Sequence, residues 1–153
     1  MAIEQRQIAI RDVIAGERVI VVEPSNIYGC TLGDDVFVGP FVEIQKTVTV
    51  GARTRIQSHS FICELVDIGQ DCFVGHGVMF INDLFAEGGP ARGNKSLWKS
   101  TRIGDRVSIG SNATILPVQI CDDVVIGAGA TVTRNIERPG VYDGNPARFI
   151  RGH

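Results

Sequence analysis

Two histidines are the side chains of this chain best suited to move a proton near neutral pH. His59 and His76 lie 17 residues apart, whereas the third histidine, His153, is the last residue. An unperturbed imidazole titrates close to neutrality and can act as a general acid or base. Each histidine could equally be a surface or interface residue, and the sequence leaves both interpretations open.

An Asn-Asp pair begins a segment rich in glycine, proline and charge. Asn82 and Asp83 stand at the root of residues 83–100, which contain a Gly-Gly-Pro run and the only tryptophan, Trp98. Such a segment predicts a loop, and long loops in compact domains are usually functional. Its apolar side chains favour packing on a neighbouring subunit beside a site. Asn and Asp also favour turns, so a capping role for the pair remains open.

A six-residue period organises the rest of the chain. Apolar residues recur at intervals of six, with one-residue slips before Leu32 and Ile120, and the series resumes at Ile103 after the loop. Its members are Ile27, Leu32, Val38, Ile44, Val50, Ile56, Ile62, Ile68, Val74, Phe80, Ile103, Ile109, Ile115, Ile120, Ile126 and Val132. A small or β-branched residue follows four positions after most of them. This period cannot keep one face of an α-helix, but it suits a short strand followed by a corner.

Three such units would make one triangular coil, and coils would stack by parallel strand pairing. Glycine, frequent directly after the aliphatic position, would relieve Cβ clashes at the corners. The sequence therefore predicts an all-β fold, a parallel β-helix of roughly five to six coils over residues 21–137. We expect a single domain over residues 1–153 with one projecting loop at about 83–100. A β-sandwich fits the strict period poorly, and the period does not determine handedness.

Composition narrows the class of protein further. The chain has 153 residues and a net charge of −2. Residues 1–91 contain 6 Lys or Arg and 12 Asp or Glu, whereas residues 92–153 contain 9 Lys or Arg and 5 Asp or Glu. The basic part could meet a phosphorylated cofactor, or it could be solvated surface. Neither a signal peptide nor a membrane span is expected, and no nucleic-acid-binding stripe is present. The four cysteines form no C-x-x-C pair, which favours reduced packing residues in a cytoplasmic protein.

Several segments together resemble a known family. They are Asn26-Ile-Tyr-Gly-Cys30, Gly39-Pro-Phe-Val-Glu-Ile44, Ser58-His-Ser-Phe-Ile-Cys63, Gly75-His-Gly-Val-Met-Phe-Ile-Asn-Asp83 and Gly144-Asn-Pro-Ala-Arg148. Together with the hexapeptide repeats, these segments make the chain resemble the left-handed β-helix acetyltransferases. The resemblance covers about Asn26 to Arg151. Within them it looks like the WxcM-like branch, which N-acetylates nucleotide-linked 3-amino sugars for O-antigen and related lipopolysaccharide or surface-glycan pathways.

The resemblance implies a left-handed coil and a homotrimer with active sites between adjacent subunits. It implies that an acetyl group passes from acetyl-CoA to the 3-amino group of a dTDP- or UDP-linked amino-deoxy sugar by direct attack, without a metal. Asn82 and Asp83 would border the amino group. If the CoA sulfur takes the proton, His76 would position the substrate instead of acting as a base, and His59 is the other candidate base.

Binding residues can be suggested along the coil. Acetyl-CoA is expected on the later coils, where backbone amides near Ser111, Ala113, Ala128 and Gly129 could bind the pantetheine arm. Its phosphates would suit arginine, because charge-assisted hydrogen bonds to phosphate favour the guanidinium group. The candidates are Arg134 and Arg148, for which solvated surface is the alternative. For the nucleotide-linked sugar we expect contacts from Glu43, Gln45, Gln57 and Trp98.

Three other functions remain open. The acceptor could be a hydroxyl, as in O-acetylation of serine or a simple sugar, which would need stronger base assistance from a histidine. Some left-handed β-helix trimers are zinc carbonic anhydrases with three histidine ligands, but this chain offers only His59 and His76, to which Asp83 from another subunit could be added. The chain could also be a non-catalytic structural β-helix, which would need neither the elaborate loop nor the Gly-His-Gly motif.

Overall fold

Strands of two to four residues alternate with tight corners in the computed structural model, which describes all residues 1–153. The strands form three parallel sheets. Sheet 1 contains Ile10–Arg11, Asn26–Tyr28, Glu43–Ile44, Phe61–Ile62, Met79–Phe80, Thr114–Ile115 and Thr131–Val132. Sheet 2 contains Ile14–Ala15, Thr31–Leu32, Thr49–Val50, Val66–Ile68, Thr101–Ile103 and Gln119–Ile120. Sheet 3 contains Ile20–Val21, Phe37–Val38, Arg55–Ile56, Phe73–Val74, Ser108–Ile109, Val124–Ile126, Gly140–Asp143 and an antiparallel last strand, Arg148–Arg151.

The chain visits the sheets in the order 1, 2, 3 and makes about seven turns. We name the corners by the sheets they connect: the 1/2 corner, the 2/3 corner and the 3/1 corner. Residues in the same position of successive coils lie beside one another, as in the sheet 3 row Val38, Ile56, Val74, Ile109 and Ile126. This confirms the predicted parallel β-helix of hexapeptide coils, which is consistent with the left-handed form.

The core is a single column inside the coil. Thirty buried residues form one cluster, and they include the predicted aliphatic series together with the residue four positions later, such as Val36 and Val42. The two predicted slips are absorbed without loss of register, because Leu32 pairs with Val50 and Ile120 pairs with Ile103. Cys30, Cys63 and Cys72 are buried and no cysteine is in a disulfide, which confirms the predicted packing role for these three.

Close stacking explains glycine directly after the aliphatic position. A Cβ built on Gly110 would lie 2.5 Å from the backbone nitrogen of Ala128 in the next coil, and one on Gly51 would lie 2.5 Å from that of Gln70. Both distances are shorter than real Cβ contacts. The corners therefore require glycine where successive coils approach most closely, as the sequence predicted.

The coil begins earlier than the sequence predicted. An additional first coil runs from Ile10 to Val21 and pairs with the second, for example Ile10 with Ile27 and Ala15 with Leu32. Ile10, Ile14 and Ile20 are 42%, 70% and 57% exposed, because a terminal coil has a neighbour on one side only. The aliphatic series missed this coil because Ala15 occupies the position that the next coil gives to Leu32, so the run of large aliphatic residues is broken there.

An alternating ladder of charge runs along the 2/3 corner. Six successive coils place Arg18, Asp35, Arg53, Asp71, Arg106 and Asp123 at the same position, each with a left-handed backbone. The pairs Arg18–Asp35, Arg53–Asp71 and Arg106–Asp123 are each joined by two hydrogen bonds of 2.6–3.1 Å. Hydrogen bonds from the arginines lower the pKa of all three carboxyl groups.

Candidate functional site

The predicted loop leaves the 1/2 corner after Met79–Phe80 and returns at Thr101. Val66 pairs with Thr101 and Ile68 with Ile103, so the coil continues across the insertion as if it were absent. The loop contains one turn of 3₁₀ helix, Lys95–Leu97. With the adjacent coil surface it encloses a cleft of about 590 Å³, whose lining includes Gln45, Asn82, Asp83, Phe85 and Trp98. Four of the residues predicted from sequence are therefore brought together here.

Asn82 is held rigidly at the mouth of the loop. It is 9% exposed, and its Nδ2 donates a hydrogen bond of 3.1 Å to the carbonyl oxygen of Glu64 in the preceding coil. The backbone carbonyl of Asn82 accepts from the amide of Lys99, which ties the two ends of the loop together. With Nδ2 engaged, Oδ1 has no donor within the chain and remains available as an acceptor in the cleft.

Asp83 shapes the loop. One carboxylate oxygen accepts from the amide of Phe85 at 3.0 Å and the other from the amide of Ala91 at 2.7 Å. Both oxygens are thus occupied by the backbone of the same segment. The structure gives Asp83 the capping role that the sequence left open as the alternative to contact with an amine.

A buried carboxylate that the sequence analysis missed anchors the loop to the coil. The side chain of Glu64 is 11% exposed, and both of its oxygens lie 3.0 Å from Nζ of Lys95. Lys46 approaches the same carboxylate to 3.9 Å, and Nζ of Lys95 also lies 5.3 Å from the centre of the Trp98 ring. The signal that could have identified Glu64 is a lone charge inside the apolar run Phe-Ile-Cys-Glu-Leu-Val.

The residues predicted to contact the nucleotide-linked sugar lie on different edges of sheet 1. Gln45 borders the cleft and accepts a hydrogen bond from the amide of Glu64 at 3.2 Å. Glu43 lies two residues before Gln45 on the same coil, where its carboxylate accepts from Nε2 of Gln45 at 3.4 Å and from Nδ2 of Asn26 at 2.6 Å. Burial, followed by the charge of Glu43, raises the pKa of nearby Tyr28. Gln57 follows a strand of sheet 3 and therefore belongs to the opposite 3/1 corner.

Both histidines are exposed at the 3/1 corner, one coil apart, as predicted. His59 stacks on Phe41, with ring centroids 5.0 Å apart and an angle of 30° between the planes. His76 is displaced by one residue from His59, because the amide of Gly77 donates to the carbonyl of Ser58. The strand Met79–Phe80 separates His76 from Asn82, so one chain does not join the histidines to the cleft.

Three of the predicted cofactor contacts share this corner. Ser111 and Ala128 stack above His76 in successive coils, and Gly129 follows with a left-handed φ of 71°. The amides of Ser111 and Ala128 donate no hydrogen bond within the chain, so both can serve a ligand. Ala113 differs, because its side chain is fully buried and its amide and carbonyl already bond Gly110 and Met79.

The two predicted phosphate ligands are both exposed. Arg134 follows the last strand of sheet 1, at the 1/2 corner, whereas Arg148 begins the antiparallel strand at the C-terminal end of sheet 3. The segment before Arg148 contacts the strand before Arg134, because the amide of Ala147 donates to the carbonyl of Thr131. No group of three or more His, Cys, Asp or Glu side chains converges as a metal site requires. No helix is long and apolar enough to cross a membrane.

Two family models match the chain. Residues 29–64 match the bacterial transferase hexapeptide model, which spans six repeats, and residues 100–134 match the hexapeptide repeat of succinyl-transferase. Both ranges lie within the coil and flank the loop.

A curated relative and two solved structures extend the likeness. The bifunctional protein GlmU of Streptococcus uberis is 30% identical over 93% of this chain, and the match covers 32% of GlmU. The Caulobacter crescentus perosamine N-acetyltransferase, solved as a point mutant with CoA and GDP-perosamine, is 20% identical with a TM-score of 0.75, covering 88% of this chain and 57% of that one. The polySia-specific acetyltransferase NeuO is 23% identical with a TM-score of 0.65, covering 92% and 81%.

The chain spans about a third of the length of that curated relative, and the solved structures share its fold. The repeat models match on both sides of the loop, where the structure has its regular coils. The chain therefore carries hexapeptide repeats similar to those of bacterial transferases, folded into a parallel β-helix.

Proposed function

We propose that this chain is an acetyl-CoA-dependent N-acetyltransferase that acts on the 3-amino group of a nucleotide-linked amino-deoxy sugar. The observation that carries the proposal is Asn82, which lines the cleft together with Trp98 and whose Nδ2 is bound to Glu64 while its Oδ1 accepts no hydrogen bond within the chain. A hydrogen-bond acceptor at this place suits an amine substrate, since the amine N–H groups can donate to Oδ1 while the nitrogen lone pair stays free to attack. GDP-perosamine, bound by the similar Caulobacter enzyme, is a nucleotide-linked amino sugar.

In the proposed reaction the main task of the protein is to orient the two reactants. A thioester is already activated, so holding the neutral amine and the carbonyl carbon in attack geometry supplies most of the acceleration. The nitrogen bonds to the acetyl carbon, the carbon–sulfur bond breaks, and the ammonium proton passes to the departing thiolate. No acyl-enzyme is needed: burial raises the pKa of the Cys63 thiol beside the cleft to about 12, which keeps that sulfur protonated.

We further propose a homotrimer in which the cleft of one chain faces the 3/1 corner of its neighbour. Within one chain His76 and Asn82 lie on opposite edges of sheet 1, so a second copy must bring a 3/1 corner to the cleft. Leu84 and Phe85, 48% and 59% exposed on the loop, supply apolar surface for that contact. The acetyl-CoA arm would then run past the free amides of Ser111 and Ala128, with His76 positioning the reactants.

The test is thiol release from acetyl-CoA across dTDP-, UDP- and GDP-linked 3-amino and 4-amino sugars, with serine and a simple sugar as hydroxyl acceptors. We expect turnover with 3-amino sugars only. Turnover confined to 4-amino sugars would contradict the regiochemistry, and turnover on none of the acceptors would contradict the enzymatic role.

O-acetylation is the second candidate, favoured by the two exposed imidazoles. A hydroxyl must lose its proton as it attacks, so a histidine base would be obligatory. His76→Ala separates the two candidates. Partial retention of kcat fits the amine, and loss of about 1,000-fold or more fits a hydroxyl acceptor.

A further inference from the structure

An exposed aromatic pair on the 3/1 corner has no role in the fold. Phe41 and His59 occupy the same position in successive coils and stack on one another, yet Phe41 is 57% exposed. The interior column is complete without them. A large aromatic ring that is stacked and still open to solvent on one side is a surface on which another ring can lie.

The backbone conformation at this position disfavours bulky side chains. The corner requires a left-handed conformation, with φ of 59° at Phe41 and 66° at His59. The next three coils place Gly77, Asn112 and Gly129 there, at φ of 67°, 61° and 71°. Glycine and asparagine adopt this conformation most readily, whereas a bulky residue is strained. Phenylalanine and histidine thus occupy the corner against the local preference.

An arginine without an acidic partner lies on the strand that precedes this corner. Arg55 is on the sheet 3 strand that leads into this corner, four residues before His59, and its guanidinium lies 4.2 Å from the centre of the Phe37 ring. No carboxylate of the chain lies within ion-pair distance of it. Arg53, two residues earlier, instead makes a two-bond pair with Asp71. Arg55 is therefore free to bind an anion.

We infer that Phe41, His59 and Arg55 form the subsite for the nucleoside diphosphate portion of the acceptor, an inference that rests on the proposed function. The base would stack on the ring pair, as bases do on aromatic side chains, and Arg55 would bind the diphosphate. Phe41 lies two coils from His76, or about 10 Å at the usual strand spacing. The base therefore lies toward the N-terminal coils, and the sugar reaches the reacting atoms beside His76 of the same corner. His59 binds the base in this arrangement and is not a catalytic base.

The test is equilibrium binding of dTDP, UDP and GDP to the full chain with CoA present, together with inorganic pyrophosphate as a probe without a base. Phe41→Leu should weaken binding of all three nucleotides at least tenfold and leave pyrophosphate binding unchanged. Arg55→Gln should weaken nucleotides and pyrophosphate alike. Phe149→Leu is the control, because Phe149 is 38% exposed on the last strand, at the opposite end of the coil from Phe41.

Equal nucleotide affinity for the wild-type chain and Phe41→Leu, with unchanged folding by circular dichroism, would overturn the inference. So would a Phe41→Leu variant that alters subunit association in sedimentation but binds nucleotide normally, since the pair would then be an interface between copies. A different result would contradict the proposed function. If nucleotides bind as expected but no acetyl group is transferred to any amino sugar, the subsite is supported and the proposed reaction is not.

Discussion

Nζ of Lys95 lies 3.0 Å from each carboxylate oxygen of Glu64, so one ion pair joins the middle of the loop to the wall of the coil. Hydrogen bonding to Glu64 raises the pKa of Lys95. The same residue, Glu64, offers its carbonyl oxygen to Asn82. Loop position and the orientation of the Asn82 amide therefore depend on one buried residue.

Removing the Glu64 charge should loosen the loop without unfolding the coil. In Glu64→Gln, Lys95 loses its charged partner, and trypsin should cleave at Arg92, Lys95 or Lys99 at least several-fold faster than in the wild-type chain. KM for the acceptor should rise, while kcat should change less. Limited proteolysis followed by mass spectrometry checks the first expectation, and steady-state kinetics checks the second.

Glu87→Gln is the control for that experiment, since Glu87 lies exposed in the same loop and makes no ion pair. It removes one negative charge without touching the anchor. Identical cleavage rates in the two variants would mean that Glu64 does not hold the loop.

The charge ladder predicts a loss of stability in acid. A carboxyl group whose pKa is lower in the folded state stabilises the fold above its unfolded pKa, and this contribution disappears as the pH falls through the folded pKa. For Asp35, Asp71 and Asp123 the window therefore runs downward from about pH 4. Asp71→Asn should flatten this part of a plot of melting temperature against pH, and Arg53→Gln should flatten it equally. If Arg53→Gln keeps the wild-type dependence of melting temperature on pH, the Arg53–Asp71 pair does not contribute to that dependence.

The middle of the β-helix and its first coil should differ in their tolerance of cavities. Ile62 is fully buried, and Ile62→Ala should cost about 2–5 kcal/mol in the free energy of unfolding. Ile20 is 57% exposed in the first coil, so Ile20→Ala should remain within about 0.5 kcal/mol of the wild-type value. Urea denaturation of both variants measures the difference. A similar loss in both would contradict the view of the first coil as a loosely packed end.

Gly129 offers a way to block the expected acetyl-CoA path without disturbing the fold. A Cβ added there meets nothing within 4 Å, and the coil below already has Asn112 in the same left-handed position. Gly129→Asn should therefore fold with an unchanged melting temperature and raise KM for acetyl-CoA about tenfold or more, because the new side chain occupies ligand space. An unchanged KM would mean that acetyl-CoA binds elsewhere. A raised KM together with a lowered melting temperature would mean that the substitution disturbs the fold instead of blocking the path.

The repeat made the architecture predictable, whereas the site was only partly so. Position in a hexapeptide fixes which side chain points inward, so the burial of residues such as Ile44 and Val48 followed from spacing alone. The meeting of Glu64 with Lys95 did not, because the two are 31 residues apart and one lies in a loop without periodicity. The separation of His76 from Asn82 depends on which corner carries each, and that becomes visible only once the strands are assigned to sheets.

The pairing of Val66 with Thr101 across the loop has a consequence for how such proteins diversify. Because the coil resumes in register, it does not sense the length or composition of what is inserted at this corner. The segment behaves as an exchangeable cassette on a scaffold of constant pitch. Under the proposed function, replacing residues 83–100 would change the choice of acceptor and leave the later coils, the expected acetyl-CoA path, unaltered.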